Sequence, residues 1–156
     1  MAFQSACVLP LAPVFEDPPA AQNFAPVIVD SFPVNGKVVS TPMFRVTVDD
    51  PNIGDELFVR WIADFPPYTE NSRPLGDDVR VPPPAVGTLR PDVSRTIDCV
   101  LHSLVKNVPT HHIMVVVADR KFRPPDQETD LDRKLTSLPK DAPRAEAHWT
   151  LNLECK

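Results

Sequence analysis

Twenty prolines against four glycines in 156 residues constrain this chain more than any other feature. Proline fixes φ and has no N–H, so it breaks helix interiors and central strands. It accumulates instead at strand ends, in stiff loops and in extended leaders. A chain this rich in it is expected to be all-β, with short strands joined by proline-bearing connections. Its length suits one domain with a substantial core.

Alternation fills in the strands. Residues 1–26 carry Pro10, Pro13, Pro18, Pro19 and Pro26 with little periodicity and read as an extended, polyproline-like arm preceding a domain over 27–156. Val27, Ile28 and Val29 lead to Phe32, and Asn35-Gly36 before Lys37-Val38-Val39 marks a turn between short strands. Met43 to Val48 places Phe44, Val46 and Val48 on one face and Arg45 and Thr47 on the other. After the turn Asp50 to Asp55, a strand from Glu56 to Phe65 turns Leu57, Val59, Trp61 and Ala63 inward, with Arg60 and Asp64 opposite. Pro66 to Pro91 reads as loops and edge segments. Arg95 to Leu101 alternates again, with Ile97, Cys99 and Leu101 sharing a face, and His112 to Ala118 is an apolar run suited to a strand covered on both sides. Leu131, Leu135 and Leu138 recur at helical spacing, so Asp126 to Leu138 is expected to be a short helix in the last long loop. Ala147, Trp149, Leu151, Leu153 and Cys155 share one face of the last strand. About seven short strands with two inward tryptophans, Trp61 and Trp149, predict a two-sheet sandwich, with a closed barrel as the structural alternative.

The formal charge of −5 and the scattered basic residues leave no footprint for nucleic acid. No run approaches the roughly eighteen consecutive apolar residues of a membrane span. Ser94 and Ser103 lack a nucleophile elbow, and the dispersed glycines Gly36, Gly54, Gly76 and Gly87 form no phosphate-cradling loop. His111 and His112, adjacent in a strand, face opposite sides and with His102, His148 and Cys155 form no zinc spacing, which points to surface or edge roles. A non-catalytic domain is the expectation.

The segment Val46 to Trp61, an aspartate-rich turn followed by an alternating strand ending in tryptophan, resembles the polycystic-kidney-disease and cadherin-like immunoglobulin-fold modules of bacterial surface proteins. Val115-Val116-Val117-Ala118-Asp119 is similar to their sixth strand. The likeness covers roughly Pro26 to Cys155, and the insertion from Arg123 to Arg144 departs from it. It implies an extracytoplasmic immunoglobulin-like spacer or recognition module. Asp49, Asp50 and Asp55 are the residues that would supply calcium with oxygen ligands there, while tight-turn chemistry accounts for the same residues without an ion. No other cofactor is expected.

The shared parity of Cys99 and Cys155, together with this resemblance, favours a disulfide, two buried free thiols being the alternative. Gln4-Ser5-Ala6-Cys7 is similar to the end of a bacterial lipoprotein signal, although Gln4 stands where an aliphatic residue is usual and the charged and apolar signal regions are missing. An acylated Cys7 would make the arm a tether, and any membrane association would run through that anchor alone. The expected role is an envelope or surface module, in the periplasm, on the outer membrane or outside the cell. Its partner would be a protein or surface polymer, met through 66–91 or 123–144. The other expectation is a structural subunit of an extracellular assembly, such as a fibre or secretion apparatus, that docks through its arm.

Overall fold

The computed structural model describes residues 23–124, 127, 135–138 and 142–155. Among these residues nine strands make two sheets: β1 Val27–Phe32, β2 Val38–Val39, β3 Met43–Asp49, β4 Leu57–Ala63, β5 Arg73–Pro74, β6 Val79–Val81, β7 Val93–Thr96, β8 Thr110–Ala118 and β9 Arg144–Asn152. The smaller sheet runs β1-β3-β7. The larger runs β2-β9-β8-β4-β5, with β6 also on β4. The expected two-sheet, all-β architecture is present, and no α-helix occurs among the described residues. Residues 1–22 and most of the expected helix lie outside them; Leu135 and Leu138, from its end, are buried.

Phe44, Val46 and Val48 of β3 face Leu57, Val59, Trp61 and Ala63 of β4, Ile113, Val115 and Val117 of β8, and Ala147, Trp149 and Leu151 of β9 in one core. Phe44 packs at 5.2 Å from Trp149 and 6.2 Å from Trp61, and the two indoles stack at 6.0 Å. Such ring pairs add about 0.5–1.5 kcal/mol each beyond their buried area. The Trp149 indole N–H donates to the Pro33 carbonyl at 2.8 Å, so its one polar atom is satisfied where the chain leaves β1.

That exit is a change of sheet. Asn35-Gly36 forms a turn, with Gly36 at φ +78°, but β2 does not fold back on β1; it pairs in parallel with β9, Val38 opposite Thr150. Gly36 N–H to His148 O at 2.7 Å and His148 N–H to Asn35 Oδ1 at 2.8 Å secure the crossing.

Both faces of the larger sheet are covered. Ile62, Met114, Val116 and Ala118 on its outer side pack beneath Phe65, Phe122, Leu135, Leu138 and Ala142. Arg60, on that face, is 6 % exposed. Its guanidinium meets both Asp78 carboxylate oxygens at 2.7 and 2.8 Å, donates to the Leu135 carbonyl at 2.9 Å, and lies 4.5 Å over the Phe122 ring. A bidentate ion pair with further carbonyl acceptors is the geometry that offsets burying a cation.

The strand expected from Arg95 to Leu101 is corrected. β7 begins at Val93 and stops at Thr96, and Leu101 is 78 % exposed. Asp98 is the cause: its carboxylate accepts the N–H groups of Val100 at 2.9 Å and Leu101 at 2.7 Å. That Asx geometry turns the chain and competes with a strand ladder.

The disulfide Cys99–Cys155 is present, with Cα atoms 5.5 Å apart and a sequence separation of 56. By loop-closure entropy it contributes about 4 kcal/mol. Phe44→Ala is expected to cost about 3–5 kcal/mol in urea unfolding. Arg60→Met is expected to cost about 2–4 kcal/mol and to increase cleavage between 123 and 144 in limited proteolysis; unchanged cleavage would show that Arg60 does not hold that segment.

Candidate functional site

The sandwich has two chemically different ends. At one, β3 finishes, β4 begins and β8 runs out at Asp119. The turn between β3 and β4 is built by its own side chains: Asp49 Oδ1 accepts the Asp50 N–H at 2.8 Å, Asp50 Oδ1 accepts the Asn52 N–H at 2.7 Å, and Asp55 N–H reaches the Asn52 carbonyl at 2.9 Å. These are the Asx bonds for which such turns select Asp and Asn. Asn52 Oδ1 in turn accepts the Phe24 N–H at 3.0 Å, and Asn23 donates to Asp119, so the chain entering from the arm is pinned across this end.

The three aspartates singled out in the sequence are not brought together. Asp49 is exposed, Asp55 is half-buried, and Asp50 is 1 % exposed. Asp119 joins them instead, its side chain 4 % exposed. Burial pushes the Asp50 carboxyl above its usual range; the Asn52 N–H opposes this, the Asp55 and Asp119 charges add to it, and Arg90 counters. Arg90 is itself buried and donates to the carbonyls of Asp55 at 2.8 Å and Pro82 at 3.1 Å. Asp50 Oδ2 and Arg90 Nε are both buried without a hydrogen-bond partner among the described residues. A cleft of about 480 Å³ lined by Asn23, Asn52, Asp55, Glu56, Phe58, Asp119 and Arg120 opens beside them. Among the described residues no three His, Cys, Asp or Glu side chains are placed to hold a metal ion.

At the other end, past the last residue of β9, the disulfide clamps the turn after β7. Cys99, Val100, Ser103, Leu104, Lys106 and Cys155 line a pocket of about 360 Å³. Above it Val100 and Leu101 are 85 % and 78 % exposed. The turn that carries them is held by Asp98, by the His102 N–H to the Asp98 carbonyl at 3.0 Å and by the Leu104 N–H to the Cys99 carbonyl at 3.0 Å. The result is a hydrogen-bonded turn that presents two aliphatic side chains to solvent. The sequence signal for it was Asp98 placed two and three residues before those amides.

The histidines separate as strand parity requires. His111 is 1 % exposed, not at the surface, with Nδ1 3.0 Å from Asp64 Oδ2. His112 is on the outer face and stacks on His148 at 5.3 Å. The His148 imidazole, followed by Arg144, holds the Glu146 carboxyl below its usual range. Ser94 and Ser103 lie apart from both groups in β7 and the clamped turn. Cys7 lies outside the described residues.

Asp50→Asn keeps an acceptor for the Asn52 N–H and removes the buried charge. Because the folded-state value of Asp50 is raised above 3.8, the folded chain holds this proton more tightly than the unfolded one. The stability attached to it is present below that value and is lost as pH rises through the folded value. The variant is therefore expected to gain on the native chain between pH 4 and pH 7 in parallel urea titrations; an unchanged difference would show that Asp50 carries no such cost. No family model, curated protein or solved structure matches this chain.

Proposed function

We propose that this is an immunoglobulin-like, non-catalytic module of the bacterial cell envelope or surface that engages a protein or surface polymer, with Cys7 as a lipid anchor. The observation that carries the reading is the disulfide-clamped tip. Disulfides persist in oxidising compartments, outside the cytosol. This one closes the turn that presents Val100 and Leu101 to solvent beside a pocket lined by Cys99, Ser103, Leu104 and Lys106. A backbone turn already held by its own hydrogen bonds loses little entropy on binding, which is the condition for a contact that contributes affinity. The titratable groups support the same reading, because those most buried serve structure: Arg60 binds Asp78 and the Leu135 carbonyl, Arg90 binds loop carbonyls, and His111 binds Asp64.

The test is made in cells, from the full upstream reading frame, with a photoreactive amino acid at Leu101. A cross-linked adduct in the envelope fraction, abolished when Val100 is changed to Asp, is the expected outcome, together with an intact mass that includes acyl chains on Cys7. A chain recovered in the cytosol with reduced cysteines would end the proposal.

A further inference from the structure

Asn35 is the one asparagine of this chain that is followed by glycine. That pairing carries chemistry, because a glycine nitrogen has no Cβ beside it to hinder an approach and can attack the side-chain amide carbon of the residue before it. The backbone N of Gly36 gives its proton to water and bonds to Asn35 Cγ. The bond from Cγ to Nδ2 breaks, and ammonia leaves with a proton returned by water. The resulting succinimide takes up one water and opens to aspartate or, with the chain now running through the side-chain carbonyl, to isoaspartate. Net, one water enters and one ammonia departs, with no other reactant. The remaining asparagines precede Phe24, Ile53, Ser72, Val108 and Leu153, whose side chains crowd the attacking nitrogen.

In the folded chain both reacting groups are reachable by water and both are held. Asn35 and Gly36 are exposed. A Cβ at Gly36 would meet no heavy atom within 4 Å beyond its chain neighbours among the described residues, so the glycine serves its φ of +78° and not a close approach. Gly36 N–H donates to His148 O at 2.7 Å, while Asn35 Oδ1 accepts the His148 N–H at 2.8 Å. One residue of β9 thus binds the nucleophile's proton and the electrophile's oxygen at once. A backbone carbonyl does not take that proton as a base would, and the N–H must leave it before the nitrogen can turn toward Cγ. The residues on either side are tied as well. Asn35 N–H donates to Ser31 Oγ at 3.1 Å and the Trp149 indole to the Pro33 carbonyl at 2.8 Å, and Thr150 N–H donates to Lys37 O at 3.1 Å.

We propose that Asn35 is a latent deamidation site, restrained by the backbone of His148 and converted when the crossing from β1 to β2 opens. The two products have different fates. Aspartate keeps an oxygen acceptor for the His148 N–H on an unchanged backbone, so the crossing closes again. Isoaspartate adds a methylene carbon to the main chain between Pro33 and Lys37, so the bonds from Gly36 to His148 and from Lys37 to Thr150 lose their common register. β2 then leaves β9, and the His148 and Thr150 backbone groups become a free edge that invites pairing with another strand. Opening is reversible and the covalent change is not, so the turn keeps a one-way record of how often the crossing has opened. This inference does not depend on the envelope reading or on Cys7.

The test follows deamidation by peptide mapping of the full, oxidised chain at neutral pH, native and unfolded in guanidinium chloride. Conversion at Asn35 is expected in the unfolded chain and at least about tenfold more slowly in the native one, because only opened molecules react. Trp149→Phe, which takes the indole N–H from Pro33, is expected to raise the native rate about threefold or more and to leave the unfolded rate unchanged. Ser31→Ala, which removes the acceptor of the Asn35 N–H, is expected to act in the same direction and serves where the indole variant does not fold. Native chain enriched in isoaspartate should exchange its Gly36 and Thr150 amide protons faster than the parent, whereas Asn35→Asp should match the parent. Equal rates in the native and unfolded chains, a native rate above the unfolded one, or no conversion in either would overturn the proposal. So would variants that speed Gly36 amide exchange without speeding conversion, or isoaspartate chain whose Gly36 amide stays as protected as the parent's.

Discussion

Phe44 is the wedge on which the two sheets depend. It is the ring contributed by the three-stranded sheet, and it meets both tryptophans of the larger one. Aliphatic side chains around it fill volume, while the three rings pack on one another across the layers, the two indoles stacked at 6.0 Å. The same cluster fixes the topology. Trp149 spends its indole N–H on Pro33, where the chain passes from one sheet to the other. The crossing from β1 to β2 is thereby tied to the centre of the core and not to a surface turn alone.

A sheet buried on both faces needs a second core, and here that core is latched by a charge. Arg60 and Asp78 together could have been apolar at little electrostatic cost, since replacing a whole buried ion pair by well-packed apolar groups is often neutral or stabilising, whereas losing Arg60 alone strands Asp78. What the guanidinium adds is direction. It reads Asp78 on one side and the carbonyls of Leu135 and, at 3.4 Å, Arg123 on the other, and so specifies where a segment distant in sequence returns to the sheet.

Sequence patterning revealed the inner face and little of the outer one. The alternations in β3, β4 and β9, and the apolar run in β8, correspond to the central core because each strand carries its own period-2 signal. The outer face is hidden in sequence because Arg60, His112 and His148 interrupt its apolar positions, and most of its cover comes from beyond β8. Leu101 misled for a local reason: alternation continued through Asp98, whose side chain ends the strand. At the acidic end the composition of the turn was legible, but the fourth carboxylate was not. Asp119 is brought to Asp50 only by the pairing of β4 with β8, and no spacing rule contains that. The pairing of Cys99 with Cys155 was anticipated from parity together with the surface-module resemblance, even though Cys99 sits in a turn just after Ile97 enters the core.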